Sequence, residues 1–454
     1  MYDFSRYKIQ YRENLKLALP VVMSQLGQVV VQIADNAMVG QYGGDDPTPL
    51  AAVSFGGALH FLSFVIVMGL TLGITPLIGE LFAQKKVEES AKYLQNSIAL
   101  FAVVSLVGMA LQLAVVPLMG HMGQPEEVVA MAIPYYEMMA LGLPPIILFF
   151  AVKQFLEGIG NTKVAMFCII LSNVLNIILN YMLIGGEWGA PELGAFGAGV
   201  ATFAARVASV LLLFGYFFGT KQFSHYHKHF SRHNFSRPQM KRLLTFGFPI
   251  STQIFFEASC FSIIGLLSGL FGTNAISANQ IALTAGHCSF MIVLAVGAAT
   301  TIRISHSYGA QNFIEMRRAS AAAVHLSLMW SITTATALLI FRHAIPKIFT
   351  TNTEVIETTS TLLLVIAAYQ ILDSLQCIGV GILRGMQDVK IIPYISFSAY
   401  WLSNIPIACF CAFILDMGLE GLYMGYVTGF AVAAVLIYFR IRRRQRWLAY
   451  NKWV

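Results

Sequence analysis

Three carboxylates stand inside long apolar segments of this sequence. Asp35, Glu257 and Asp373 all lie within runs long enough to cross a membrane. A charged side chain at the centre of a bilayer costs about 2.5–3.5 kcal/mol on insertion scales, so an acid at this depth indicates a functional site. Carboxylates attract hard inorganic cations and organic cations, and a buried carboxylate can also accept a proton. The three acids therefore predict cation binding.

Amides and a phenol accompany these acids at helical spacing. Glutamines precede Asp35 at intervals of three or four residues, which places them on one helical face, and asparagines repeat in the same way in the fifth apolar segment. Such stripes cannot face lipid, so they line a cavity or another helix. For the glutamines alone, hydrogen bonding between packed helices is an equal alternative. The candidates beside the acids are Gln25, Gln28, Gln32, Asn173, Asn176, Asn180, Gln253, Gln280, Tyr369 and Gln376.

The elements that position these residues are predicted to be membrane-spanning helices. Of 454 residues, 57% are hydrophobic and 11% charged, whereas soluble domains average about 25% charged. The apolar runs reach the roughly 20 residues that one spanning helix needs, and they lack the alternation of barrel strands. No cleavable signal peptide is evident, because the first run is long enough to span. The expected spans are 15–40, 50–80, 93–118, 131–157, 164–186, 193–218, 243–270, 277–308, 319–345, 359–384, 391–415 and 419–440.

Positive charge is distributed asymmetrically between the loops. If the N-terminus is cytoplasmic, 25 of the 29 Lys and Arg fall on the cytoplasmic side. Of the other four, Arg342 and Lys347 fall outside, and Arg206 and Arg303 lie within spans. The positive-inside rule predicts this pattern for an even number of spans with both termini in the cytoplasm, here at the cell inner (plasma) membrane. The net charge of +7 therefore holds loops beside anionic lipid, and we expect no nucleic-acid partner.

The two halves of the sequence repeat each other at an offset of about 227 residues, as in the pairs Pro20 with Pro249 and Gly158 with Gly385. Six spans per half give parallel repeats related by an axis along the membrane normal. The predicted fold is an all-α polytopic membrane protein with about twelve transmembrane helices in two pseudo-symmetric six-helix bundles and a central cleft. This architecture indicates a secondary transporter, although a channel could also adopt it, so the site residues must distinguish the two. The predicted parts are an N-terminal lobe (1–220), a basic linker (221–242), a C-terminal lobe (243–440) and a basic tail (441–454).

Five short motifs are spread over essentially the whole chain. The first span has a proline, a glutamine and an acid before a Val-Gly pair, the eighth carries an arginine, and the tenth has a tyrosine four residues before its acid. The motifs are Pro20, Gln25, Asp35, Val39 and Gly40; residues 247–257; residues 302–310; Tyr369 and Asp373; and residues 385–390. Together they resemble the multidrug and toxic compound extrusion (MATE) transporters, particularly their bacterial NorM-like branch.

The resemblance implies export of drugs by alternating access, driven by inward cation flow. In the second half it implies a cation site at Glu257, Asp373 and Tyr369. In the first half it implies a second polar site, at Asp35, Asn176 and Asn180, with Thr202 as a weaker candidate. Asn180 stands where another branch has an acid, which favours sodium over the proton as the coupling ion. Asn279 departs from the family pattern, in which a histidine is expected.

Small organic cations are the expected substrates, and we expect them to compete with the coupling ion for the acids. A lipid-linked oligosaccharide or lipid flippase of the same superfamily is the alternative, although it would favour more cationic side chains than Arg206 and Arg303 within spans. The sequence lacks Gly-x4-Gly-Lys-Ser/Thr and His-Glu-x-x-His, so no enzyme activity, metal centre or cofactor is predicted. We expect a monomer in the bilayer. Arg206 is predicted to form an ion pair or to snorkel, and His287 to be a hydrogen-bonded packing residue.

Overall fold

Twelve helices long and apolar enough to cross a membrane make up most of the chain, which confirms the predicted number. The computed structural model describes residues 4–44 and 46–450, with side chains from residue 7 onward, and this part contains no β-strand. Residues 451–454 of the predicted tail lie outside it. The helices are α1 (Phe4–Gly43), α2 (Thr48–Ala83), α3 (Val87–His121), α4 (Glu126–Gly158), α5 (Lys163–Gly185), α6 (Gly194–Gly219), α7 (Arg237–Phe271), α8 (Thr273–Gly309), α9 (Phe313–Phe341), α10 (Thr353–Gly385), α11 (Ile392–Ile414) and α12 (Gly418–Tyr450).

Several helices extend beyond the apolar runs that predicted them. Helix α1 begins at Phe4 rather than near residue 15, and α12 continues to Tyr450, through most of the segment predicted as a basic tail. Hydropathy marks only the part of a helix that is apolar. Arginine, lysine and glutamine are good helix formers, so the polar ends continue the same helices.

Three helices are interrupted, and the interruptions matter for the polar clusters. Helix α2 breaks at Leu72 and Gly73, and α4 breaks at Gly142. Helix α11 contains two π-helical segments, Phe397–Asn404 and Phe410–Ile414. Pro406 lies between them, and its missing N–H interrupts the normal hydrogen-bond ladder. Such wide turns rotate the side chains that follow them and occur frequently at functional sites.

The internal repeat predicted from sequence recurs in the packing. The Thr75 hydroxyl donates to the carbonyl of Gln154 at 3.1 Å, and the equivalent Thr301 hydroxyl donates to the carbonyl of Gly381 at 3.0 Å. Position 154 precedes Gly158 by one turn, just as position 381 precedes Gly385. The same interhelical hydrogen bond therefore joins α2 to α4 and α8 to α10.

The chain forms two compact units. The N-unit is Met23–Ser251, and the C-unit comprises the described residues up to Val22 together with those from Thr252 onward. Helices α1 and α7 therefore each contribute to both units. Packing accounts for this difference from the sequence halves, because Arg303 of α8 binds Gln10 near the start of α1, and Ser251 of α7 donates to the carbonyl of Ile66 at 2.6 Å. The predicted lobe boundaries follow the repeat and stay a prediction.

Each unit has its own apolar core. In the N-unit, Phe101 of α3 and Phe149 and Phe155 of α4 are fully buried. In the C-unit, the core is richer in tyrosine and includes Tyr400 and Tyr426, which are also fully buried. The tyrosine-rich core surrounds the polar cluster of the C-unit.

Candidate functional site

A polar cluster inside the C-unit is built by α7 and α10. Gln253 and Glu257 lie one turn apart on α7, and the Gln253 amide donates to Glu257 Oε2 at 2.9 Å. Asp373 of α10 is 8% exposed, and its Oδ1 atom is buried without a hydrogen-bond partner. Glu257 and Asp373 lie within electrostatic range of each other. The structure therefore brings together two acids that are 116 positions apart in the sequence.

Helix α10 positions Asp373 because it is the most enclosed helix of the C-unit, in contact with α8, α9 and α12. Tyr369, one turn before Asp373, packs its ring 5.7 Å from that of Tyr426 and 5.3 Å from that of Phe430. Gln376, one turn after Asp373, is 2% exposed. The predicted stripe on α10 is thus a buried face, and it lies against the aromatic core.

Arg384 belongs to this cluster, although the sequence predicted it to be a cytoplasmic residue at the end of a span. Its Nη2 donates to Gln253 Oε1 at 2.5 Å, and its Nε is buried without a partner. Arg384 lies three turns after Asp373 on α10, so helical spacing was the signal that could have identified it.

Tyr400 is a second member that sequence reasoning missed. It lies on the first π-helical segment of α11, and its hydroxyl lies beside Glu257 without closing a hydrogen bond of normal geometry. A buried phenol with an unpaired hydroxyl beside a carboxylate adds an oxygen that a cation could use as a ligand.

The N-unit contains a continuous hydrogen-bonded chain around Asp35. The Asn180 amide donates to the Asp35 carboxylate and, at 3.3 Å, to Asn176 Oδ1. The Asn176 amide in turn donates to Thr202 Oγ1 at 3.4 Å, and Thr202 donates to the carbonyl of Ala198 at 2.9 Å. Helices α1, α5 and α6 thereby bring the four predicted N-half residues into one cluster.

Some polar atoms of this N-unit cluster have no partner. Asn180 Oδ1 and Asn173 Nδ2 are buried without hydrogen bonds. A buried amide group without a partner costs about 1–3 kcal/mol, so these atoms indicate a place where a ligand or water completes the network.

The six predicted glutamines fall into two groups. Gln253 and Gln376 are buried in the C-unit. Gln28, Gln32 and Gln280 are exposed, and Gln25 is half-buried. Only Gln253 has a hydrogen bond to an acid. The role of the other glutamines in lining a cleft stays a prediction.

The three acids do not form ion pairs in the described part of the chain. The ion pairs that do form there involve other carboxylates. Arg303 pairs with Glu315 at 3.1 Å, and Arg440 pairs with Asp388 at 2.6 Å. This arrangement excludes a permanently paired state of Asp35, Glu257 or Asp373 with those groups. It leaves the three carboxylates able to bind a cation.

Of the two alternatives predicted for Arg206, the ion pair is wrong, and snorkelling stays a prediction. Its Nη1 donates to His60 Nε2 and to the carbonyl of Met139, both at 3.2 Å. That carbonyl is available because α4 breaks at Gly142, which leaves the last carbonyls of the preceding turn without helical donors. Asp35 is within electrostatic range of Arg206 but not paired with it.

The predictions for His287 and Asn279 have different outcomes. His287 is exposed and has no hydrogen-bond partner among the described residues, so its predicted role as a hydrogen-bonded packing residue is wrong. Its position on the exposed face of α8, beside Cys288, explains the difference. Asn279 is buried and accepts a hydrogen bond from the Tyr423 hydroxyl at 2.8 Å, which is a structural contact.

Comparison with known proteins agrees with this architecture. The MatE family model matches the chain twice, at residues 20–182 and 249–410. The two matches begin 229 positions apart, which independently supports the internal repeat. A relative described as the probable multidrug resistance protein NorM of Bradyrhizobium diazoefficiens is 31% identical over 441 residues, covering 96% of this chain and 94% of the relative.

Solved structures share the fold. The eukaryotic MATE transporter AtDTX14 matches with a TM-score of 0.87 at 22% identity, covering 98% of this chain and 99% of that one. A variant of the Vibrio cholerae MATE transporter VcmN matches with a TM-score of 0.86 at 20% identity, covering 97% and 98%. With the double family match and the NorM relative, this multi-pass membrane protein belongs to the MATE family, whose members are transporters and not enzymes.

Proposed function

We propose that the protein is an antiporter that exports organic cations and drugs in exchange for Na⁺. The observation that carries this proposal is that Glu257 and Asp373 are enclosed in the C-unit without an ion pair. Both acids lie inside the C-unit without ion pairs, and Asp373 keeps one oxygen without a partner. Leaving such carboxylates uncompensated in a low-dielectric interior is costly, so a cation from outside the protein is the natural partner.

The chemistry of the neighbours supports sodium as that cation. Carboxylate and phenol oxygens are hard ligands, and the C-unit cluster offers both classes in Asp373, Glu257 and Tyr400. A proton needs only one carboxylate, whereas a metal ion needs several oxygens around one point. The oxygen-rich surroundings of the acids therefore favour Na⁺ over H⁺.

Coupling follows from competition for the same acids. A ligand shifts a conformational equilibrium only by its difference in affinity for the two states, so ion and drug must favour opposite steps of the cycle. One elementary charge crossing about 100 mV releases roughly 2.3 kcal/mol, which can drive export of an organic cation. The N-unit cluster of Asp35, Asn176, Asn180 and Thr202 is proposed as a second polar site in this cycle.

The proposed setting is the cell inner (plasma) membrane, with both termini in the cytoplasm and the protein acting as a monomer. The distribution of Lys and Arg supports this orientation. Cysteine labelling of exposed positions from one side of sealed vesicles would test it.

An efflux assay tests the proposed function. Proteoliposomes containing ethidium are given an inward Na⁺ gradient, a pH gradient or neither, and ethidium release is followed by fluorescence. We expect release with the Na⁺ gradient, and less than about a tenth of that rate in Asp373→Asn and Glu257→Gln, because each variant removes a ligand charge. Asp388→Asn is the matched control, since its carboxylate pairs with Arg440 outside the cluster. Normal efflux in both acid variants, or efflux driven by the pH gradient alone, contradicts the proposal.

One observation supports the flippase alternative. Arg206 of the N-unit and Arg384 of the C-unit each lack a carboxylate partner within ion-pair distance among the described residues, so each charge is available to a phosphate. The same proteoliposomes distinguish the two functions. Flipping of a fluorescent lipid phosphate, measured by dithionite quenching and unaffected by Na⁺, would favour the flippase.

A further inference from the structure

A chain of three side chains connects a basic residue to one of the C-unit acids. The Arg384 guanidinium donates to Gln253 Oε1 at 2.5 Å, and the Gln253 amide donates to Glu257 Oε2 at 2.9 Å. Gln253 itself is 3% exposed. One buried amide therefore separates the positive charge of Arg384 from the negative charge of Glu257.

The orientation of the Gln253 amide is determined at both ends. A guanidinium is only a donor and an ionised carboxylate is only an acceptor. The opposite amide orientation would place its NH₂ group against Arg384 and its oxygen against Glu257, which is repulsive at both contacts. Gln253 can thus transmit the position of Arg384 to Glu257 in one orientation only.

The net charge of the C-unit cluster indicates the role of these three hydrogen-bonded side chains. No carboxylate of the described residues lies within ion-pair distance of Arg384, and its Nε atom has no partner. Arg384 is therefore not engaged in an ion pair that would cancel its charge. With Glu257 and Asp373 ionised, these two acids and Arg384 together carry a net charge of about −1, which one monovalent cation balances.

We propose that Arg384 is a positioning residue that sets the affinity and the number of coupling cations at the Glu257 and Asp373 site, acting through Gln253. It repels an arriving cation and holds Glu257 through the amide. Both effects keep binding weak enough for the ion to leave after each cycle. This inference rests on the proposed cation site and adds a residue that limits its affinity.

Neutralising Arg384 has a definite consequence. The cluster would then carry about −2, so the site in Arg384→Gln should bind its first cation about tenfold or more tightly and accept a second one. The Na⁺ concentration for half-maximal transport falls, and the maximal rate falls as well, because release becomes slow. A purely structural role would reduce the amount of active protein without moving the half-saturation point.

The experiment measures ²²Na⁺ binding to purified protein in nanodiscs, without transport. The variants are wild type, Arg384→Gln, Arg384→Lys, Gln253→Met and Asp373→Asn, with Arg440→Gln as a control that removes an arginine outside the cluster. Wild type should bind one Na⁺, and Asp373→Asn should bind none. Arg384→Gln should bind up to two with higher affinity, Arg384→Lys should restore the wild-type values, and Gln253→Met should fall between them because it breaks the chain but keeps the charge.

The outcomes separate the two proposals. If wild type binds Na⁺ and Asp373→Asn does not, the cation site stands. Unchanged affinity and number in Arg384→Gln then overturns the role of Arg384 alone. A similar change in Arg440→Gln also overturns it, because the effect would be one of general charge. If wild type binds no Na⁺, both proposals fail. Monodisperse elution and an unchanged melting temperature identify variants that remain folded, and Gln253→Met retains a test if Arg384→Gln does not fold.

Discussion

Asn180 donates a hydrogen bond from its side-chain amide to the Asp35 carboxylate, which joins α5 to α1 inside the N-unit. The same amide nitrogen also donates to Asn176, so Asp35 is oriented by a neutral donor that is itself held in place. A neutral donor stabilises the ionised carboxylate without supplying a competing positive charge. Asp35 therefore keeps its capacity to attract a cation.

Replacing Asn180 with aspartate should change the ion that drives transport. Two ionised carboxylates in contact repel each other. The pair therefore either shares a proton or binds a cation. We expect Asn180→Asp to respond to a pH gradient that leaves wild type unaffected, and Asn180→Leu to lose about tenfold in rate. Ethidium efflux under separate Na⁺ and pH gradients measures both effects.

Asn173→Asp is the matched control for Asn180→Asp. It adds a carboxylate to the same helix α5, at a residue that does not bond to Asp35. Equal pH responses in the two variants would show that added charge alone, rather than contact with Asp35, is responsible.

Tyr400→Phe should weaken ion coupling without destabilising the protein. Its hydroxyl is buried beside Glu257 without a partner, so removing it breaks no hydrogen bond but removes a potential ligand. We expect the half-maximal Na⁺ concentration to rise several-fold at an unchanged melting temperature. Tyr423→Phe should lower the melting temperature and leave the half-maximal Na⁺ concentration unchanged. The Tyr423 hydroxyl donates to Asn279 at 2.8 Å, and loss of this hydrogen bond costs about 1 kcal/mol. An increase in half-maximal Na⁺ concentration for Tyr423→Phe alone would contradict this assignment.

Apolar runs and their spacing were sufficient to predict the helices, whereas family resemblance rather than local pattern grouped the acids and amides into two candidate sites. Helical spacing marked Asn176 and Asn180 on one face of α5, whereas their grouping with Asp35 of α1 was implied only by the family resemblance. The contact of Arg384 with Gln253 was missed because hydropathy marks where an apolar run ends but not which side chains a cation at that end contacts. Tyr400 was missed because a π-helix breaks the 3.6-residue period on which sequence patterns depend. Contacts between α7 and α10 depend on tertiary packing, which no local pattern encodes.

Adding a methyl group at Gly385 should destabilise the C-unit. A Cβ atom there would lie 2.5 Å from Ile304 Cβ and 3.0 Å from the carbonyl oxygen of Thr301. Overpacking of this kind costs about 1–3 kcal/mol. We expect Gly385→Ala to lower the melting temperature in nanodiscs.

Gly265→Ala provides the matched control for Gly385→Ala, because no atom lies within 4 Å of a Cβ at Gly265 in α7. Alanine has the higher helix propensity, so this variant should be neutral or slightly stabilising. Equal destabilisation by both substitutions would mean that the close approach of Gly385 to Ile304 does not limit stability.

Arg303 should hold the beginning of α1 in the C-unit. Its guanidinium donates to the Gln10 carbonyl at 2.9 Å, to Asn14 Oδ1 at 3.0 Å and to Glu315 Oε1 at 3.1 Å. Removing a charged donor with several partners should lower the local opening free energy by about 2 kcal/mol, which speeds amide exchange by about 30-fold. Hydrogen exchange of Arg303→Met, measured by mass spectrometry, should therefore increase in the first 15 or so residues of α1. Arg12→Gln removes an exposed charge from the same helix and should leave exchange unchanged; equal increases in both variants would assign the effect to charge on α1 rather than to Arg303.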